Sequence, residues 1–105
     1  MKTLLRQLYD FGQSPWLDYL SRTIINNGNL QRMIDKGIVG VTSNPTIFDK
    51  AVQSGNDYDS IIRELAQKGK DKEEIYNNIT IRDIQDACDM FLPVYQQTGK
   101  KDGYV

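Results

Sequence analysis

The chain has 105 residues, of which 39% are apolar and 26% charged, the composition of an ordinary soluble domain. Its 13 basic and 14 acidic side chains nearly cancel, and no apolar run approaches the roughly 20 residues that a membrane span needs. We therefore expect a cytoplasmic protein that binds neither nucleic acid nor a membrane.

The residue types that are absent narrow the chemistry. The chain has no histidine, which excludes a Ser-His-Asp relay, a Cys-His pair and imidazole metal ligation. Its single cysteine, Cys88, excludes an internal disulfide and a thiolate cluster. Any catalysis by this chain must use carboxylates, amides, hydroxyls, lysines or tyrosines, and we expect no metal site.

The first half of the chain reads as helix, strand, two helices and strand. Four apolar residues spaced for one face predict the first helix: Leu4, Leu5, Leu8 and Phe11. Residues 14–20 read as a short strand, after which Ser21 is a plausible N-cap. Asn29 can cap the next helix, which Gly37 ends. The β-branched run at 38–41 predicts a strand buried on both faces.

The second half reads mainly as helix. Asp71 opens a sequence typical of a capping box, and Thr80 opens a second apparent helix start. An apolar stripe follows, formed by Ile81, Ile84, Cys88, Leu92 and Tyr95. Since Cys88 lies on this stripe, we predict a buried, inert thiol. Tyr104 and Val105 read as the beginning of a third strand.

Strands that alternate with helices favour parallel β/α units. Two complete strands cannot form a sheet with both faces covered, so we infer that residues 1–105 are part of a larger α/β domain. The alternative is a small helical domain in which two apolar turns imitate strands, since periodicity alone does not exclude it for such short runs.

Asp18 is the first candidate for chemistry. It stands among Trp16, Leu17, Tyr19 and Leu20, and a carboxylate in apolar surroundings loses hydration, which raises its pKa toward a value useful for proton transfer. The alternative, which the spacing alone favours, is an exposed aspartate that caps the following helix.

Asn44 is the second candidate, because it precedes Pro45 at a strand-to-helix junction. An asparagine N-cap followed by proline is an ordinary helix start. An amide at the carboxyl end of a barrel strand also points into the site, so both interpretations can hold. Thr42 should face the same side of the strand as Asn44, and Ser43 the opposite side.

Two segments resemble a known family. Residues 13–18 with Ser21 and Arg22 resemble the first strand and turn of the longer bacterial transaldolases. Residues 37–48, which read Gly-Ile-Val-Gly-Val-Thr-Ser-Asn-Pro-Thr-Ile-Phe, resemble the family's second strand. The resemblance extends from about Leu8 to Val105 and is close to the subgroup sometimes fused to a glucose-6-phosphate isomerase domain.

The resemblance implies the N-terminal part of a (β/α)8 TIM barrel: about two β/α units and the start of strand three, with an extra N-terminal helix. It implies transfer of a dihydroxyacetone unit between a ketose phosphate and an aldose phosphate through a lysine imine, in the pentose phosphate pathway and without a cofactor. By resemblance, Asp18 shuttles the proton, Asn44 holds a hydroxyl of the dihydroxyacetone unit, and Thr42 helps position a catalytic water.

The resemblance also implies what this segment lacks. The family's lysine lies on the fourth strand, its acidic partner for the water on the third, and its phosphate-binding arginines later, so we do not assign that role to Arg22. We expect residues 1–105 alone to be inactive. Two alternatives remain: a related Schiff-base class I aldolase, and a non-enzymatic helical interaction module in which Asp18 and Asn44 are only caps.

Overall fold

A computed structural model describes residues 2–105. The chain forms six helices and two strands over these residues. In chain order they are α1 (Leu4–Asp10), β1 (Trp16–Leu17), α2 (Arg22–Asn26), α3 (Asn29–Lys36), β2 (Gly40–Val41), α4 (Pro45–Gln53), α5 (Asp59–Gln67) and α6 (Lys72–Gln97).

The two strands pair in parallel, with Trp16 opposite Gly40 and Leu17 opposite Val41. Tyr104 forms a further parallel bridge to Gly40, so that β2 lies between β1 and the beginning of a third extended segment. The prediction of consecutive parallel strands is confirmed, and the alternative of a purely helical domain is wrong. The regular strands are shorter than predicted, because ladder pairing covers only two residues of each.

The helices bury two apolar clusters. The first, which we call the helix-side cluster, lies between the sheet and its neighbouring helices and consists of Leu20, Leu30, Ile34, Ile38, Val39, Val41, Ala87, Phe91 and Val94. The second, which we call the α4–α6 cluster, consists of Phe48, Ala51, Tyr58 and Ile79. One face of the sheet therefore packs against the helices through the first cluster.

Side-chain caps fix several helix starts. Ser21 accepts a hydrogen bond from the backbone N–H of Ile24, as predicted. The capping box at Asp71 is also confirmed. The predicted cap at Asn29 is wrong by one residue, because Gly28 takes the N-cap position with φ +83°, a left-handed conformation that favours glycine.

Helix α6 corrects two predictions. It runs without interruption from Lys72 to Gln97, so Thr80 does not begin a second helix; its hydroxyl donates to the carbonyl of Tyr76 one turn earlier. The buried residues of α6 are Ile79, Asp83, Ala87, Phe91 and Val94.

The predicted apolar stripe is therefore on the wrong face of α6. Ile81, Ile84 and Leu92 are 55%, 39% and 48% exposed, and the prediction of a buried Cys88 is wrong, since Cys88 is exposed as well. Neighbouring rows on a helix are separated by only one or two residues, and tertiary contacts selected the row through Ala87. None of the helices within residues 2–105 is long and apolar enough to cross a membrane.

Candidate functional site

The two faces of the sheet carry different residues. Leu17 and Val41 contact the helix-side cluster, and Val41 is fully buried. Because successive strand residues point to opposite faces, Asp18 and Thr42 belong to the other face, on which Trp16 and Asp18 are exposed. We call this the open face. In parallel strands, the last residues of neighbouring strands meet at one edge, and the structure places Asp18 and Thr42 there.

Asp18 and Thr42 contact each other directly. The hydroxyl Oγ1 of Thr42 donates a hydrogen bond to Oδ1 of Asp18. The backbone fixes this pairing, because the N–H of Thr42 donates to the carbonyl of Leu17 over 2.9 Å. Thus the two candidate residues, 24 positions apart in the chain, form one polar pair at the carboxyl end of the sheet.

The surroundings of Asp18 differ from those expected. The side chain is exposed rather than enclosed by its apolar neighbours, because alternation along the strand directs Leu17 to the opposite face. The alternative that Asp18 caps the next helix is also wrong, since Ser21 provides that cap. The carboxylate is therefore available to a ligand on the open face.

One residue pair before this pair in the sheet, Trp16 and Gly40 pack closely against each other. The indole of Trp16 lies over Gly40, and a Cβ at Gly40 would come within 2.4 to 2.8 Å of three of its ring carbons. Only glycine leaves room for the indole at this position. Trp16 is 41% exposed on the open face, so it forms an apolar surface next to the Asp18–Thr42 pair.

Asn44 follows β2 and serves as a helix cap. Its Oδ1 accepts a hydrogen bond of 2.9 Å from the N–H of Ile47, and Pro45 occupies the first helical turn. The structural interpretation of this residue is thus confirmed. The side chain is exposed, and its Nδ2 makes no hydrogen bond within residues 2–105, so a ligand could accept from it. No hydrogen bond joins the side chains of Asn44 and Asp18, whose partners are Ile47 and Thr42 respectively.

A buried polar cluster that no local sequence pattern predicted is formed by Arg22, Tyr58 and Asp83. Arg22 Nε donates to Oδ1 of Asp83 over 2.7 Å, and the Tyr58 hydroxyl donates to Oδ2 of Asp83 over 2.5 Å. The backbone N–H of Arg22 donates to the Tyr58 oxygen over 2.8 Å. Burial raises the pKa of Tyr58, and its hydrogen bond to Asp83 raises it further. Asp83 could have been noticed, because it lies four residues from both Ile79 and Ala87.

Arg22 is committed to this cluster. Its guanidinium carbon lies 4.8 Å from the centre of the Tyr58 ring, in addition to its ion pair with Asp83. The guanidinium is thus engaged within the chain, and the absence of a phosphate-binding role for Arg22 stays a prediction.

The lysines offer no buried amine. All eight are exposed, so none lies in the apolar, water-excluding surroundings expected of a lysine that forms an imine. No group of three or more Cys, Asp or Glu side chains within residues 2–105 is arranged to hold a metal ion.

Comparison with known proteins gives one consistent answer. The family model described as Transaldolase/Fructose-6-phosphate aldolase matches residues 15–105. The chain is 47% identical over 102 residues to the transaldolase of Trichodesmium erythraeum (strain IMS101), covering 96% of this chain and 27% of that protein. It is 48% identical over 106 residues to the transaldolase of Arthrobacter sp. (strain FB24), covering 100% of this chain and 29% of that protein.

A third relative is transaldolase 2 of Streptomyces coelicolor, which is 47% identical over 106 residues, with 100% of this chain and 28% of the relative covered. The chain spans between a quarter and a third of the length of these relatives. The match nevertheless includes both strands, the Asp18–Thr42 pair and Asn44. The chain belongs to the transaldolase/fructose-6-phosphate aldolase family.

Proposed function

We propose that this chain is the N-terminal part of a (β/α)8 barrel transaldolase, comprising about two β/α units, the start of the third strand and the extra helix α1. The consecutive parallel strands and the family match over residues 15–105 support this. In such a barrel, the open face becomes the interior and the carboxyl ends of the strands carry the active site. The Asp18–Thr42 pair lies at that end.

The reaction we propose is transfer of a dihydroxyacetone unit from a ketose phosphate to an aldose phosphate. A lysine outside this segment forms an imine with the ketose carbonyl. Asp18 takes the proton from the hydroxyl on the far carbon of the bond that breaks. The bonding electrons pass into the imine to give an enamine, and an aldose phosphate leaves. Attack of the enamine on a second aldose phosphate reverses these steps, and Asp18 returns the proton to the new hydroxyl.

The observation that carries the assignment is the hydrogen bond between Thr42 and Asp18. It holds one carboxylate oxygen in place and leaves the other free to accept a proton. Since the Thr42 hydroxyl hydrogen is used in this contact, its oxygen can still accept a hydrogen bond from the water that hydrolyses the imine. Asn44 would donate from Nδ2 to a hydroxyl of the dihydroxyacetone unit while its Oδ1 caps α4.

The test uses Asp18→Asn in the full-length protein that carries this segment. We expect the variant to form a borohydride-trappable imine with fructose 6-phosphate and to lose transfer by roughly 10²- to 10⁴-fold, the usual contribution of a general base. The control is Asp89→Asn, an exposed aspartate on α6 outside the site, which should transfer normally. Transfer by Asp18→Asn at the unsubstituted rate would contradict the proposal.

A second candidate follows from the family name, which includes fructose-6-phosphate aldolase. Aldol cleavage uses the same imine and the same proton transfer, and differs in releasing free dihydroxyacetone instead of passing it to an aldose phosphate. Product analysis with erythrose 4-phosphate present separates them, since transfer yields sedoheptulose 7-phosphate. A fused glucose-6-phosphate isomerase domain stays a prediction, which an isomerase assay of the full-length protein would test.

A further inference from the structure

The turn that carries Asp18 into helix α2 is short and its end is firmly held. Only residues 19–21 separate Asp18 from Arg22, the first residue of α2. Within them, Leu20 and Ser21 are each 2% exposed. A displacement of Arg22 is therefore transmitted directly to Asp18, since the intervening backbone has no exposed loop that could absorb it.

Arg22 is held from two directions by one buried triangle of hydrogen bonds. Its backbone N–H donates to the Tyr58 oxygen, its Nε donates to Asp83, and the Tyr58 hydroxyl donates to the other oxygen of Asp83. The Tyr58 hydroxyl thus joins the backbone of the turn to a carboxylate on α6. The Asp83 side chain is 3% exposed and that of Arg22 is 15% exposed.

The same tyrosine also reaches the second site segment. Its ring packs edge-on against Phe48, with ring centres 5.5 Å apart. Phe48 lies on α4, the helix that Asn44 caps. The cluster therefore connects the turn after β1 and the helix after β2, the two places where the candidate residues are located.

Stability alone gives little reason for such a cluster. Burying an ion pair removes two charges from water, and the mutual attraction of the charges often fails to offset the cost of desolvation. An apolar set of similar volume would fill the space between α2, α5 and α6 equally well. The hydrogen-bonded triangle adds a fixed direction and distance for Arg22, which apolar packing does not provide.

We propose that Tyr58 and Asp83 are positioning residues that hold Arg22 and, through the β1–α2 turn, place the Asp18 carboxylate for proton transfer. This inference rests on the proposed function and extends it to residues of α6 and of the turn before α5 that touch no substrate. It identifies the Tyr58 hydroxyl as the group on which the position of the turn depends.

Tyr58→Phe in the full-length protein is the sharpest variant. It keeps the ring that packs on Phe48 and under the guanidinium, and removes only the hydroxyl. We expect transfer to fall roughly tenfold, because small misplacements of a catalytic group are costly, while the rate of imine trapping by borohydride changes less than twofold. Tyr76→Phe is the matched control, since its ring also packs edge-on against Phe48, at 5.2 Å, and its hydroxyl makes no hydrogen bond within residues 2–105.

The decisive measurement is a double-mutant cycle with Asp18→Asn. If the Tyr58 hydroxyl acts through Asp18, its removal from Asp18→Asn should cost less than twofold in the residual transfer rate. An equal tenfold loss in both backgrounds would overturn the proposal, because it would show a general structural effect. Unchanged transfer by Tyr58→Phe, or an equal loss in Tyr76→Phe, would overturn it as well.

A second variant covers the case in which Tyr58→Phe does not fold. Arg22→Lys keeps a positive charge and the backbone donor and loses the Nε–H that binds Asp83. The same cycle with Asp18→Asn then applies, with the same expected and contradicting results. Failure of the unsubstituted protein to form any imine would overturn the proposed function along with this inference, whereas imine formation with additive losses would overturn the positioning role alone.

Discussion

The two faces of the sheet differ in the solvent exposure of their side chains. The helix-side face places Leu17 and Val41 against α3 and α6, and its cluster includes residues with no exposed surface at all. The open face carries Trp16, Asp18 and Thr42, all at least partly exposed. The residues of the helix-side face thus build the apolar core of this segment. The residues proposed for chemistry lie on the open face, which contributes little to that core.

The largest effect should come from the helix-side cluster. Phe91 is fully buried and its neighbour Leu92 is 48% exposed. We expect Phe91→Ala to lower the free energy of unfolding by about 3–5 kcal/mol, because it leaves a cavity in a packed core. Leu92→Ala is the control and should change it by less than about 0.5 kcal/mol. Urea unfolding of the full-length protein that carries this segment measures both, and equal losses would contradict the assignment of the α6 faces.

On the open face, Gly40 should be sensitive despite the exposure around it. Gly40→Ala forces its new methyl group into the indole of Trp16, and we expect a loss of about 1–3 kcal/mol in the free energy of unfolding. Trp16→Leu combined with Gly40→Ala should recover most of this loss, because the smaller side chain removes the clash. Simple additivity of the two substitutions would show that the indole does not rest on Gly40.

The dependence of the free energy of unfolding on pH above 10 tests the Arg22–Tyr58–Asp83 cluster. Because the folded-state pKa of Tyr58 lies above its ordinary value of 10.0, the folded chain keeps a proton that the unfolded chain releases. The contribution of the Tyr58 hydroxyl to the free energy of unfolding is therefore complete below pH 10.0 and is lost as the pH rises further. We expect the free energy of unfolding to fall by at most about 1.4 kcal/mol per pH unit from this group, and Tyr58→Phe to flatten that fall.

In Tyr58→Phe, part of the fall in the free energy of unfolding at alkaline pH should remain. Partial burial raises the pKa of Tyr9 as well, and the neighbouring Asp102 carboxylate adds to the effect. The two tyrosines act through separate clusters, so their contributions should be independent. Identical slopes for Tyr58→Phe and the unsubstituted chain, measured by urea unfolding between pH 9 and 12, would contradict the buried hydrogen bond to Asp83.

The smallest effect belongs to the junction of the two regions. Asn44→Ala removes the cap of α4 and should cost about 1 kcal/mol in the free energy of unfolding. Asn44→Ser restores a side-chain cap but lacks the amide N–H. In the full-length protein we expect both variants to bind fructose 6-phosphate more weakly, as judged by KM. If Asn44→Ser binds it normally, Asn44 is only a cap.

Local patterns predicted a large part of this segment correctly. The caps at Ser21, Asn44 and Asp71 follow from residue types whose side chains bind the first free N–H groups of a helix. The parallel order of the strands follows from their alternation with helices. The closeness of Asp18 and Thr42 was also foreseeable, since the carboxyl ends of neighbouring parallel strands meet at one edge.

Tertiary structure decided which faces are buried and which distant residues meet. On α6, two apolar rows compete at nearly equal spacing, and only the position of α2, α3 and the sheet selected the row that contains Asp83 and Ala87. Asp18 is exposed because strand alternation and the helical layer placed Leu17 inward instead. The Arg22–Tyr58–Asp83 cluster joins residues up to 61 positions apart, and no local pattern encodes such a contact, because its geometry exists only once three helices have packed together.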